Sequence, residues 1–214
     1  MILIFHSISC KNSFAQNEGY ILYVNDVKGK DTAQITEWIS DTMEVYFKNN
    51  SLKIHFSKNK IFGIPFDFLV VPEQLSSYFI FDDDKTALKI NSKGIKTNSA
   101  KYQITDIGVK RKIINRDCKK YKVISSLIDT SYLFYVWSDS LFTIPTLDNP
   151  DFIPFFSLRI DGVKGTPLKM QCKSKDSESQ FTIETTATML RLMPLEKTLF
   201  TIPKNYAIKE YKVE

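Results

Sequence analysis

Apolar and polar residues alternate along most of the chain in short runs, the signature of half-buried β-strands. Tyr20-Ile21-Leu22-Tyr23-Val24 opens the series. Met43, Val45 and Phe47 then alternate with Glu44, Tyr46 and Lys48, and Leu52, Ile54 and Phe56 alternate with Lys53 and His55. Asn49-Asn50 between these two runs predicts a tight hairpin, because asparagine tolerates positive φ. A second hairpin is expected from Tyr78-Phe79-Ile80-Phe81 through Asp82-Asp83-Asp84-Lys85 to Thr86-Ala87-Leu88-Lys89-Ile90. Further strands are expected over 109–114, 121–124, 132–137, 168–173 and 181–189. Sequential hairpins make an antiparallel sheet with one wet face. About nine strands exceed what a flat sheet holds without curling or splitting. The expected fold is therefore mainly β (α+β): one curved antiparallel sheet, an incomplete barrel, with one or two short helices or an apolar loop on its concave side.

Helical signals are few. One covers part of Thr32 to Ser40. The other is Asn149-Pro150-Asp151-Phe152-Ile153-Pro154-Phe155-Phe156-Ser157-Leu158, where Phe152, Phe155 and Phe156 fall at i, i+3 and i+4 on one helical face. Pro154 sits in its first turn, where proline is tolerated. This segment reads as an aromatic plug over the sheet, or as an irregular apolar loop.

Composition narrows the class without changing it. The 214 residues suit one well-buried core, and 43% hydrophobic with 13% aromatic residues exclude a disordered chain. The first residues, Met1 to Cys10, are mostly apolar, and Ser13-x-Ala15 offers small residues for a signal peptidase, with Gln16 as the new N-terminus. Residues 1–15 are expected to be a cleaved signal peptide and 16–214 a single β domain. Lipidation at Cys10 and an uncleaved buried strand are the rival readings. The expected location is the periplasm of a Gram-negative envelope, its outer membrane by association, or the exterior by secretion, with at most peripheral membrane contact. Loss of Lys11 with the signal would leave 28 basic against 24 acidic residues. One dense basic run, Lys110, Arg111, Lys112, Arg116, Lys119, Lys120 and Lys122, reads as a solvated strand face. Nucleic acid is not an expected partner, since binding it would need exposed aromatics interleaved with the basic residues. Attraction to anionic head groups is the minority reading of that run.

Cys118 and Cys172 are the thiols left after cleavage, and a pair in an oxidising compartment can form a disulfide. Parity opposes it, placing Cys172 with Leu168 and Met170 on an apolar face and Cys118 with Lys120 and Lys122 on a polar one. A bulge between Cys118 and Tyr121 would restore the pairing.

Catalytic motifs are sparse. His6 lies in the expected signal and His55 on a polar strand face, which removes Ser-His-Asp, Cys-His and histidine-rich zinc arrangements. No GxxxxGK[ST], GxGxxG or GxSxG string occurs. Asp82-Asp83-Asp84 could offer oxygen ligands to calcium, but reads better as a soluble hairpin turn. Asp139, Asp148 and Asp151 could supply paired carboxylates only if their separation were fixed. The expectation is a non-enzyme without cofactor or metal.

Four motifs in order carry a resemblance: Asp117-Cys118-Lys119-Lys120-Tyr121-Lys122-Val123, Tyr135-Val136-Trp137-Ser138-Asp139, Gly165-Thr166-Pro167-Leu168-Lys169 and Leu199-Phe200-Thr201-Ile202-Pro203-Lys204-Asn205-Tyr206. Together they resemble an uncharacterised domain family of exported Bacteroidota proteins, itself similar to the GLPGLI family and to the LolA/LolB lipoprotein-carrier superfamily. Members carry a glycine before the cysteine strand, where Asn115-Arg116-Asp117 stands here, so the turn is expected to differ. The resemblance implies a half-open barrel whose apolar concavity is covered by a helix or loop. Two functional readings follow. In the first, Met43, Val45, Phe47, Ile54, Phe56, Phe134, Val136, Phe155 and Ile183 line a hollow for a lipid or lipoprotein acyl chain, at roughly 0.8 kcal/mol per buried CH₂. In the second, the same residues are a filled core, and the domain is a structural or protein-interaction module of the envelope.

Overall fold

The computed structural model describes residues 18–30, 32–57, 64–71, 76–91, 102–125, 132–144, 158, 160–175 and 180–210. These contain twelve strands in one sheet: β1 (Glu18–Gly29), β2 (Thr42–Lys48), β3 (Ser51–Phe56), β4 (Phe66–Val71), β5 (Ser76–Phe81), β6 (Thr86–Asn91), β7 (Tyr102–Ile113), β8 (Arg116–Ser125), β9 (Tyr132–Asp139), β10 (Thr166–Ser174), β11 (Phe181–Leu192) and β12 (Ala207–Glu210). A seven-residue helix α1 (Thr32–Trp38) follows β1, and a 3₁₀ turn spans Lys197–Phe200. The strand order is β12-β6-β5-β4-β3-β2-β1-β11-β10-β9-β8-β7. Two meanders, β2 to β6 and β7 to β11, thus meet on the first strand, which pairs with β2 on one side and β11 on the other. Neighbours are antiparallel except β12, which pairs parallel with β6. The sheet is curved and unclosed, with β7 and β12 at its edges among the described strands.

Alternation builds the core directly. β2 and β3 bury every second residue, and the cross-strand row Ile21, Val45, Ile54, Phe68, Phe79 runs along one face. That inner face carries the main apolar cluster. It is closed partly by the β9–β10 connection, from which Phe142, Ile144, Leu158, Ile160 and Val163 fold back into it. The Phe142 ring meets Phe47 edge-on at 5.9 Å, and Thr166 N donates to Phe142 O at 2.7 Å. Ile35 and Ile39, on and just after α1, pack against the same cluster. The predicted aromatic segment 149–157 lies outside the described residues, as do residues 1–17.

Register slips occur in the β1–β11 pair at Leu22/Tyr23, in β10 between Pro167 and Lys169, and in β7 between Asp106 and Lys110. All three lie on the β7–β11 side of the sheet. An inserted residue bends a strand and increases its local twist. The predicted turns are present: Asn49 has φ 52° between β2 and β3, and Lys85 has φ 51° between β5 and β6. Where the resembled family has glycine, Ile114 and Asn115 both take positive φ, 43° and 63°, and join β7 to β8. Positive φ at isoleucine is uncommon; here Ile113, just before it, is buried and Ile114 packs against the core.

One open pairing is settled and one expectation needs correction. Cys118 and Cys172 are free thiols. They stand on β8 and β10 with β9 between them, and a two-strand separation of about 9.6 Å exceeds disulfide reach before any offset along the strands. Parity also misplaced Cys118, which is fully buried. Two residues, Lys119 and Lys120, separate it from buried Tyr121 where strict alternation would leave one. The β7–β8 register slips at the same level. Burial pushes both thiols up to about 12, so they carry almost no thiolate at neutral pH.

Candidate functional site

Eight of the nine residues expected to line a ligand hollow are described: Met43, Val45, Phe47, Ile54, Phe56, Phe134, Val136 and Ile183. The structure brings all eight together on the inner face, and every one is buried in the main cluster. Phe155 lies outside the described residues. The side chains fill space against one another: Phe56 stacks on Phe66 at 4.7 Å, and Phe66 meets Phe79 at 5.9 Å.

The opposite face carries a cavity of about 670 Å³. It lies between β3–β5 and the segment 193–206, which leaves β11, crosses the outer face of the sheet and returns as β12. The crossing follows from the sequence of β4. Phe66-Asp67-Phe68-Leu69-Val70 does not alternate, and all five residues are buried. A strand apolar on both faces needs cover on both. Leu69, Tyr78, Ile80 and Ala87 supply the outer apolar surface, and Phe200, Leu195, Leu199, Ile202 and Tyr206 pack over it as a second cluster.

Polar contacts pin both ends of this strap. At its start Leu195 N donates to Glu18 Oε2 at 3.1 Å, while Lys48 Nζ donates to the same carboxylate at 2.5 Å and to Leu195 O. The Lys48 hydrogen bond, then the Leu195 amide, hold the Glu18 carboxyl below its ordinary value. At the far end Tyr206 OH donates to Asp82 Oδ1 at 2.6 Å, and Ala207 N donates to Lys85 O at 2.9 Å, starting β12. The hydrogen bond to Asp82, with some desolvation, pushes the Tyr206 phenol up to about 12.

Ile80, Met193, Pro194, Leu195, Leu199 and Pro203 give the cavity an apolar lining, and Lys53, Asp67, Asp82, Glu196, Thr198, Thr201 and Tyr206 give it polar groups. Asp67 is the least expected of these, a carboxylate with 8% side-chain exposure on a strand buried on both faces. Lys53 Nζ lies 2.7 Å from one of its oxygens and His55 Nδ1 2.6 Å from the other. A buried charge is tolerated only when paired in this way. His55 does lie on the polar face, as alternation predicts, but as a partner of Asp67. The available sequence signal was the single charge inside an apolar run, which needs compensation from neighbouring strands. Asp139 is likewise paired, 2.7 Å from Arg116 Nη1, while Asp148 and Asp151 lie outside the described residues. Asp82 and Asp84 serve the hairpin and the strap, Asp84 accepting from Thr86 N at 3.1 Å.

Fold and cavity together define an open antiparallel-sheet domain with a strapped pocket on its outer face. No protein-family model and no curated protein matches the chain. Among solved structures it is similar to PNGF-II, at 14% identity and a TM-score of 0.49 over 91% of this chain and 32% of that one. It is also similar to MucB, at 10% identity and a TM-score of 0.45 over 89% of this chain and 59% of that one. A LolA superfamily protein from Nitrosomonas europaea aligns at 11% identity and a TM-score of 0.38, covering 88% and 91% of the two chains. The chain thus spans about a third of the first of these proteins and under two thirds of the second. Among the described residues, no helix is long and apolar enough to cross a membrane.

Proposed function

We propose that this is a non-catalytic binding domain of the cell envelope that holds an amphiphilic ligand, such as a lipid or lipoprotein acyl chain, beneath the strap. The observation that carries the reading is the 670 Å³ cavity, within the range of small-molecule sites, whose six apolar and seven polar lining residues suit an amphiphile. The ligand's apolar body would rest on Ile80, Met193, Leu195 and Leu199, and its polar end would face Lys53, Asp67, Asp82 and Tyr206. Each methylene so buried contributes about 0.8 kcal/mol. Export by a signal peptide over residues 1–15, and kinship with the resembled family of exported proteins, belong to the same proposal.

A second reading, a structural or interaction module, draws support from the close packing of the inner face. Native mass spectrometry with lipid extraction separates the two. The proposal expects a co-purifying amphiphile that displaces a fluorescent apolar probe, and expects Leu199→Trp, which fills the cavity, to abolish probe binding without lowering the melting temperature. A ligand-free protein that takes up no probe would overturn it. Probe binding unaffected by Leu199→Trp but lost in a Phe79→Asp variant would move the site to the inner face.

A further inference from the structure

Among the described residues no strap crosses the outer face of the other half of the sheet, and its composition follows from cross-strand register. One row reads Lys120, Trp137, Lys169, Thr186, Val24 from β8 to β1. The next reads Lys122, Tyr135, Gln171, Glu184, Asp26, and the third Leu133, Lys173, Thr182, Lys28. These rows hold five lysines against two carboxylates, a surplus of three positive charges; Lys169 is buried, its side chain 10% exposed, which leaves Lys28, Lys120, Lys122 and Lys173 to face solvent. Both carboxylates are already engaged, Glu184 with Lys169 at 3.0 Å and Asp26 with Lys28 at 2.5 Å.

Lys120 Nζ sits 4.2 Å from the Tyr135 ring centroid and 4.6 Å from that of Trp137, which Lys169 also approaches at 5.5 Å. Desolvation, followed by the charges of Lys173 and Lys169, lowers the Lys120 pKa, so positive charge is crowded here. Trp137 is only 6% exposed. Tyr135 is half-buried under Lys120, and the well-exposed apolar side chains on this face are aliphatic: Val24 is 37% exposed and Ile124, two residues beyond Lys122, is 46% exposed.

We propose that this lysine-rich face docks the domain onto an anionic lipid surface. Charge complementarity selects an anionic partner, and two features select a bilayer over a nucleic acid. A single strand binds by stacking bases on open aromatic rings, whereas Trp137 is buried beneath lysines. The exposed residues among the lysines are short aliphatics suited to the head-group boundary. Each lysine near such a surface contributes about five-fold in partition, and the attraction fades beyond a Debye length of about 10 Å. The inference does not depend on the cavity under the strap, which lies on the other half of the sheet.

Vesicle co-sedimentation tests it. The full chain is expected to pellet with phosphatidylglycerol-containing vesicles at low salt, to be released by added salt, and to ignore pure phosphatidylcholine. A ligand taken up only by its apolar chain would not discriminate between these vesicles. The triple variant Lys28→Glu, Lys122→Glu, Lys173→Glu is expected to partition at least about 100-fold more weakly. Lys85→Glu, Lys204→Glu, Lys209→Glu makes the same change in net charge at the far end of the sheet and is expected to keep most of the binding. Circular dichroism and melting should match wild type for both. No preference for anionic vesicles, equal loss in the two triple variants, or tighter binding to a single-stranded oligonucleotide than to the vesicles would each overturn the proposal.

Discussion

The two halves of the outer sheet face are finished in opposite ways. Over β3 to β6 the chain folds a strap across Leu69, Tyr78, Ile80 and Ala87, creating a second apolar cluster and a cavity with a buried carboxylate at its floor. Over β8 to β11 the same face carries lysines stacked on two aromatic rings and no covering segment is described. Both halves share the inner face and its alternation, so the difference lies entirely in the outward-facing positions. An outward residue that is apolar calls for cover, and an outward lysine shields the ring beneath it with its own aliphatic stem.

The comparison can be broken most severely at the strap. Phe200→Ala removes the buried ring that anchors the second cluster and is expected to cost about 3 kcal/mol in urea denaturation. Leu133→Ala, half-exposed on the open face, should cost about 1 kcal/mol, and equal losses would contradict the distinction drawn here. The ion pairs sharpen the contrast next. Asp67→Asn leaves Lys53 and His55 without their shared carboxylate and is expected to cost about 2 kcal/mol. Glu184→Gln, whose side chain is 23% exposed, should cost about 0.5 kcal/mol.

Acid should act on the strap through Glu18. Its carboxyl titrates below the reference 4.5, so its contacts with Lys48 and Leu195 are complete above that pH and lost as pH falls through the lower folded value. Hydrogen exchange at the Leu195 amide, corrected for intrinsic rate, is expected to accelerate over that acidic interval, and in Glu18→Ala to be fast throughout. The smallest effect belongs to Lys28→Ala. Its pair with Asp26 is 67% and 51% exposed, and no shift in the urea midpoint is expected.

Much of the fold was legible because the inner face obeys a period of two. Met43, Val45, Phe47, Leu52, Ile54 and Phe56 were placed inward by alternation alone, and all are buried. β4 escaped because its run is apolar on both sides and presents no period. β12 escaped for the opposite reason: four exposed residues carry no pattern, and their strand exists through pairing with β6. The distance between Cys118 and Cys172 depends on strand order, which no local pattern encodes. The cavity was illegible for a related reason. Asp67 and Leu199 lie far apart in the chain, and their meeting is created by a strap whose path is fixed at Glu18 and Asp82.

The position of β1 has a consequence for how the domain comes together. β2 to β6 and β7 to β11 form largely from neighbouring hairpins, whose closure is fast. The first strand lies between the two meanders and joins residues at opposite ends of the chain, with Gly19 opposite Leu192. Closing so long a loop is entropically costly, so this pairing should form late and set the folding rate. During synthesis one edge of β1 waits unpaired until nearly the whole domain has emerged. Over that interval it is an adhesive strand edge, and holding it apart from other chains is the main kinetic hazard the topology creates.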